Sequence, residues 1–183
     1  MKKLFWVAML LFAGWCLATT DGKKFTIRMT STVGLTPPVV ELDFEQLDGR
    51  MKKDAVKALH PKLDYYCYEE DRAKSFGDSA CNNDVALFNG MFSYNMALYF
   101  KGDGLAAVRV ALQPQSFDEA INWLDMRYKR TEIKTEDSFT GGKKYPITMW
   151  KTPSGNYVLA SQDQTMAGET ILLWTDSIFG VRP

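Results

Sequence analysis

Enzymes that hydrolyse or transfer groups usually hold a base that titrates near the working pH, and histidine is the commonest such base. This chain contains one, His60. It precedes Pro61 at the end of a helical stretch, where an imidazole caps the helix or faces solvent, so neither a catalytic triad nor a His-rich metal site is expected. Gly77-Asp78-Ser79-Ala80-Cys81 comes close to a nucleophile elbow, but a cysteine stands where the second glycine is required. Gly141-Gly142-Lys143-Lys144 lacks the earlier glycine of a phosphate loop, and Lys143 is followed by lysine rather than Ser or Thr. It reads as a flexible loop. A carboxylate pair can cleave a glycan without histidine, and Glu69, Glu70 and Asp71 adjoin an aromatic run. Three neighbouring acids on one loop, however, fix neither their separation nor their burial. No cofactor and no metal are expected.

The cysteines suggest a structural role. Cys16 lies in the apolar N-terminal segment, which leaves Cys67 and Cys81 as an even pair. They are not arranged as Cys-x-x-Cys and have no histidine nearby, so a disulfide is expected rather than a redox or metal site. Closing a loop of about 15 residues contributes roughly 3 kcal/mol in the chain-entropy account. The polar segment between the two cysteines reads as a surface loop held down by the bond.

The aromatic residues are the remaining candidates for recognition, because Tyr and Trp suit surfaces that are both apolar and hydrogen-bonding. Tyr65, Tyr66, Tyr68, Trp150 and Trp174 form the candidate set. Strand alternation puts Tyr66 and Tyr68 on one side and Tyr65 on the other, so the cluster cannot be exposed as a whole. Packing in the core is the alternative role for each tryptophan.

The N-terminus bears on compartment. Lys2 and Lys3 precede an apolar run over residues 4–15, and Cys16-Leu17-Ala18 gives a small-x-small end before polar Thr19. This pattern predicts a secretory signal over residues 1–18, cleaved near Ala18. The run is shorter than the roughly 20 residues a spanning helix needs, and no membrane span is expected. Lipid anchoring through Cys16 is disfavoured, because Trp15 occupies the place of the small residue that precedes a lipidated cysteine.

Without residues 1–18 the chain carries 20 basic against 22 acidic residues. No basic stripe interleaved with aromatics is present, which argues against nucleic acid as a partner. Residues 19–183 suit one domain, since a chain of this length buries about two-thirds of its unfolded surface.

The elements follow from periodicity. Alternation predicts strands over residues 25–30 and 40–44, and a short helix is expected over 51–59, ended by His60-Pro61. A strand over 63–68 leads into the first cysteine. Residues 92–100 and 105–112 alternate around Lys-Gly-Asp-Gly and predict a hairpin. Matching its apolar faces places Leu98 opposite Ala106 and Met96 opposite Val108, with Gly104 in a left-handed bulge. Ser116-Phe-Asp-Glu119 is a capping box opening a helix over 116–130. A long polar connection over 131–144 precedes strands over 147–151, 157–161 and 170–175. The predicted fold is α+β: an antiparallel sheet of about six to eight strands in hairpins, packed by one long and one short α-helix.

An exported scaffold without catalytic groups is expected to be a periplasmic or secreted non-enzymatic binding or accessory protein acting on an envelope or extracellular protein partner. The alternatives are a small-ligand carrier with a pocket between helix 116–130 and the sheet, and, third, a carboxylate-based hydrolase.

Overall fold

The computed structural model describes residues 2–69, 76–131, 147–162 and 170–176. Its centre is the hairpin of β5 (Met91–Lys101) and β6 (Gly104–Leu112). The apolar faces of the two strands coincide, but not by the expected route. Leu98 lies opposite Val108 and Met96 opposite Val110, and the pairing steps from Tyr99↔Ala107 to Phe100↔Leu105. Ala106 is thus the extra residue of a bulge, which restores the phase that a two-residue turn alone would lose. The left-handed glycine is Gly102, at φ 60°, rather than Gly104. Gly104 serves another purpose: a side chain there would run into the carbonyl of Gly49, 2.6 Å from the Cβ position.

Among the described residues the hairpin is the middle of a ten-stranded mixed sheet. On one side of β6 lie β10 (Thr170–Thr175), β9 (Tyr157–Gln162), β8 (Ile147–Lys151) and β7 (Lys129–Thr131), in that order. On the other side β5 carries β3 (Ser79–Asp84), which carries β2 (Tyr66–Glu69). The first residues of β5 also pair with β4 (Leu87–Phe88), and β1 (Val39–Val40) runs parallel to β4. Every other pairing is antiparallel. The parallel β1–β4 contact departs from the all-antiparallel expectation.

There are four α-helices among the described residues, not two. Helix α1 (Lys2–Ala18) is apolar almost throughout and leaves Val7, Leu10, Leu11 and Leu17 exposed. No described helix is long and apolar enough to cross a membrane. Helix α2 (Thr20–Thr32) replaces the strand expected at 25–30. Thr19 caps it, its side chain accepting from the Gly22 N–H at 3.0 Å. The threonines that read as the polar half of a strand instead donate back to carbonyls one turn earlier, Thr26 to Gly22 and Thr30 to Thr26. Phe25 packs against Phe12 and Trp15 of α1, with ring centroids 6.0 Å apart in both cases.

Residues 40–44 have the expected burial alternation, with Val40, Leu42 and Phe44 inside. Only Val39 and Val40 are strand, however, and Phe44–Gln46 forms a 3-10 turn. Helix α3 (Lys53–Leu59) ends at His60, whose N–H donates to Lys57.

Helix α4 (Phe117–Asp125) is shorter than the expected 116–130, and Lys129 and Arg130 belong to strand β7. The capping box does not form. Residues Pro114–Ser116 make a 3-10 turn that leaves Ser116 at ψ 1°; its hydroxyl makes no bond to the helix donors and is buried without a partner among the described residues. Glu119 is engaged elsewhere, accepting from Lys24 of α2 at 2.8 and 2.9 Å. Ala120 and Leu124 of α4 are buried with Met96, Leu98, Val108, Leu172, Trp150 and Trp174 of the sheet in one core. A smaller cluster of Ala107, Met149, Leu159 and Leu173 lies on the opposite face, so the central strands are buried on both sides.

Candidate functional site

Strand β2 forms one end of the sheet. It pairs with β3 along one edge, and no strand pairs with its other edge among the described residues. Cys67 and Cys81 are directly opposite across this pair and are disulfide-bonded, as expected, with Cα atoms 4.0 Å apart. So close an approach marks the narrow, non-hydrogen-bonded type of antiparallel pair, in which both residues turn their backbone N–H and C=O away from each other. Cys67 therefore presents its N–H and C=O to the open edge. By the two-residue period, so does Glu69.

The tyrosines around Cys67 occupy different environments. Tyr66 is 73% exposed, and its ring lies 5.7 Å from that of Tyr68. The Tyr68 hydroxyl accepts from Asn82 of β3 at 2.8 Å, which ties the outer aromatic pair to the neighbouring strand. Tyr65 points the other way and is half-buried under the Lys57 ammonium, 5.7 Å from its ring centre. Burial pushes the Tyr65 hydroxyl up to about 12. Further along the same outer face, Phe76 meets Tyr99 edge-on at 5.4 Å.

The two tryptophans of the candidate set are not at the surface. Trp150 and Trp174 are both 0% exposed and belong to the core. The Trp150 indole donates to Asp125 at 2.8 Å, at the end of α4, and Arg130 holds the same carboxylate from β7 at 2.6 and 3.0 Å. The Trp150 hydrogen bond first, and the guanidinium beside it second, keep the Asp125 carboxyl below its ordinary value. A partner docking on the folded chain reaches neither ring. Among the five aromatic candidates, only Tyr66 is largely exposed.

Two clefts stand out among the described residues. The larger, about 1000 Å³, lies between the end of α2 with its following loop and the segment running from Leu59 to Asp64, with Asn83 and Asp84 of β3 also lining it. His60 is in its wall. The imidazole is half-buried, its Nε2 has no hydrogen-bond partner among the described residues, and burial lowers its pKa. The smaller cleft, about 380 Å³, lies between residues 41–46, Asn89, Trp123 on the outer side of α4, and Arg127 just beyond that helix. Neither cleft opens between α4 and the sheet.

Of the loop acids, Glu69 ends β2, whereas Glu70 and Asp71 lie outside the described residues, as do Gly141, Gly142, Lys143 and Lys144. Ser79 of the near-elbow motif starts strand β3 and is buried. Among the described residues no three His, Cys, Asp or Glu side chains are grouped to hold a metal ion.

The sequence singled out Tyr66 and the disulfide but neither which strand has the open edge nor the larger cleft. The edge depends on strand order, which no local spacing encodes. The cleft is assembled from three separate stretches of chain. No family model, no curated protein and no solved structure matches this chain.

Proposed function

We propose that this chain is an exported, non-enzymatic binding protein that engages an envelope or extracellular protein by accepting an extended segment of it along the open edge of β2. The observation that carries this reading is the stapled edge itself. Unpaired backbone donors and acceptors on a strand edge are a template for another strand, and proteins normally hide or blunt them. Here the edge is fixed by the Cys67–Cys81 bond and flanked by the exposed Tyr66 ring. Main-chain bonds from such an edge supply affinity, and side chains on alternate positions supply selectivity. The disulfide and the basic-apolar-small pattern of residues 1–18 support export to the periplasm or the medium.

The test is site-specific crosslinking in the producing cell, with a photoreactive phenylalanine in place of Tyr66. One protein is expected to be captured through a single extended segment. A companion change, Glu69→Pro, removes an N–H that points outward and leaves the ladder to β3 intact. It should abolish capture while the melting temperature and circular dichroism stay unchanged. Undiminished crosslinking in Glu69→Pro, or release of a small molecule on denaturation with no protein captured, overturns the reading.

A further inference from the structure

The large cleft lies next to the start of β2. Asp64, in its wall, is two residues ahead of Tyr66, the first residue of β2. Tyr66 lies opposite Asn82, so Asn83 and Asp84 continue β3 beyond the start of β2 and into the cleft. A segment lying along β2 and running on past Tyr66 meets this cleft within about two residues at ~3.4 Å per residue.

The charges in the cleft are unequal along its length. Arg28 and Glu41 lie 3.7 Å apart and largely offset one another. Among the other charges that line the cleft, the exposed carboxylates Asp64 and Asp84 stand against the ammonium of Lys62. Complementarity therefore favours a cation at the β2 end of the cleft.

We propose that the cleft receives the continuation of the segment that pairs with β2, and that this continuation carries a lysine or arginine. The inference rests on the edge reading above. In this proposal the added segment runs antiparallel to β2, as β3 does on the other side. Its basic residue then lies about two to four positions C-terminal to the one opposite Tyr66. The preferred ligand is an extended peptide with an alternating apolar stretch followed by a basic residue.

The probe is a phage-displayed library of random dodecapeptides, selected on the oxidised full chain. Enriched peptides should show β-branched or aromatic residues at alternate positions and Lys or Arg on their C-terminal side. The best of them, made synthetically, should bind Asp64→Asn/Asp84→Asn about ten-fold more weakly than the parent, with a shallower salt dependence. It should not bind Glu69→Pro. If peptides without a basic residue are enriched and the double aspartate variant binds them equally well, the cleft proposal fails and the edge reading stands. If Glu69→Pro binds normally while the aspartate variant does not, the edge reading fails. The cleft is then an independent site, and the proposal of a continuous segment falls with the edge. If no peptide is enriched, both are overturned.

Discussion

The side-chain amide of Asn89 bonds both backbone groups of Leu42. Its Oδ1 accepts from the Leu42 N–H at 2.8 Å, and its Nδ2 donates to the Leu42 carbonyl at 2.9 Å. One side chain thus does for the segment after β1 what a neighbouring strand would otherwise do. It also explains how Leu42 is buried without a ladder partner. Asn89 sits at φ 48°, in the left-handed region that asparagine tolerates, and with Gly90 it turns β4 into β5.

Replacing Asn89 separates these two contributions. Asn89→Gly keeps the turn and removes both bonds, leaving the Leu42 groups unsatisfied at a cost of about 1 to 3 kcal/mol. Asn89→Ala adds the strain of a left-handed alanine, roughly another 1 kcal/mol. Urea unfolding should rank wild type above Gly and Gly above Ala. A neutral Asn89→Gly would mean that water replaces the side chain without loss.

The disulfide is expected to stabilise the fold without any part in chemistry. Cys67→Ser, or reduction of the wild type, should lower stability by roughly 3 kcal/mol for this loop of 14 residues' separation and leave far-UV circular dichroism unchanged. Because the bond fixes β2, reduction should also weaken binding of any strand at that edge. A reduced protein that melts at the same temperature would show that pairing with β3 alone holds the edge.

Helix α4 provides a comparison between packing and capping. Leu124 is fully buried against the sheet, so Leu124→Ala should cost about 2 to 5 kcal/mol. Ser116→Ala is expected to be neutral within about 0.5 kcal/mol, or stabilising, because the hydroxyl it removes is buried without a partner. Glu119→Gln loses the Lys24 pair, which is partly exposed and contributes about 0 to 1 kcal/mol. Chemical denaturation of the three variants tests the order. A loss of about 1 kcal/mol in Ser116→Ala would restore the capping box.

These cases show where sequence pattern is informative and where it stops. The long β5–β6 hairpin was legible because its residues alternate over many positions, with the core on one face. Its register was not, because the bulge at Ala106 changes the phase by one residue and no residue type marks it. Residues 25–30 misled because Phe25, Ile27 and Met29 alternate, while Thr26 and Thr30 can satisfy themselves on helix carbonyls as easily as on a strand's solvent face. The capping box failed because a signature of side chains cannot anticipate that the backbone before it tightens into a 3-10 turn. β3 was hidden in a polar stretch whose burial comes from its neighbours, β2 and β5. The disulfide, by contrast, needed only two cysteines and an oxidising context.

His60 gives the last prediction, since it is the single histidine and sits half-buried in the cleft wall. The groups facing that cleft are Arg28 of α2, Glu41, Lys62 and Asp64 of the loops, and Asp84 of β3. Desolvation lowers the folded-state pKa of the imidazole below its ordinary 6.5. The unfolded chain therefore binds a proton at a higher pH than the folded chain does, and falling pH favours unfolding. The stability contributed by a neutral His60 is fully present above about pH 6.5 and is lost as pH drops through the lower folded value. The urea midpoint of the wild type should accordingly fall between pH 7.5 and pH 5.5, above the range where exposed carboxylates titrate. His60→Gln cannot take up the proton, so it should remove that slope while lowering the plateau at pH 7.5 only slightly. An unchanged slope in His60→Gln would place the titrating group elsewhere and show that the imidazole is as well solvated in the folded chain as in the unfolded one.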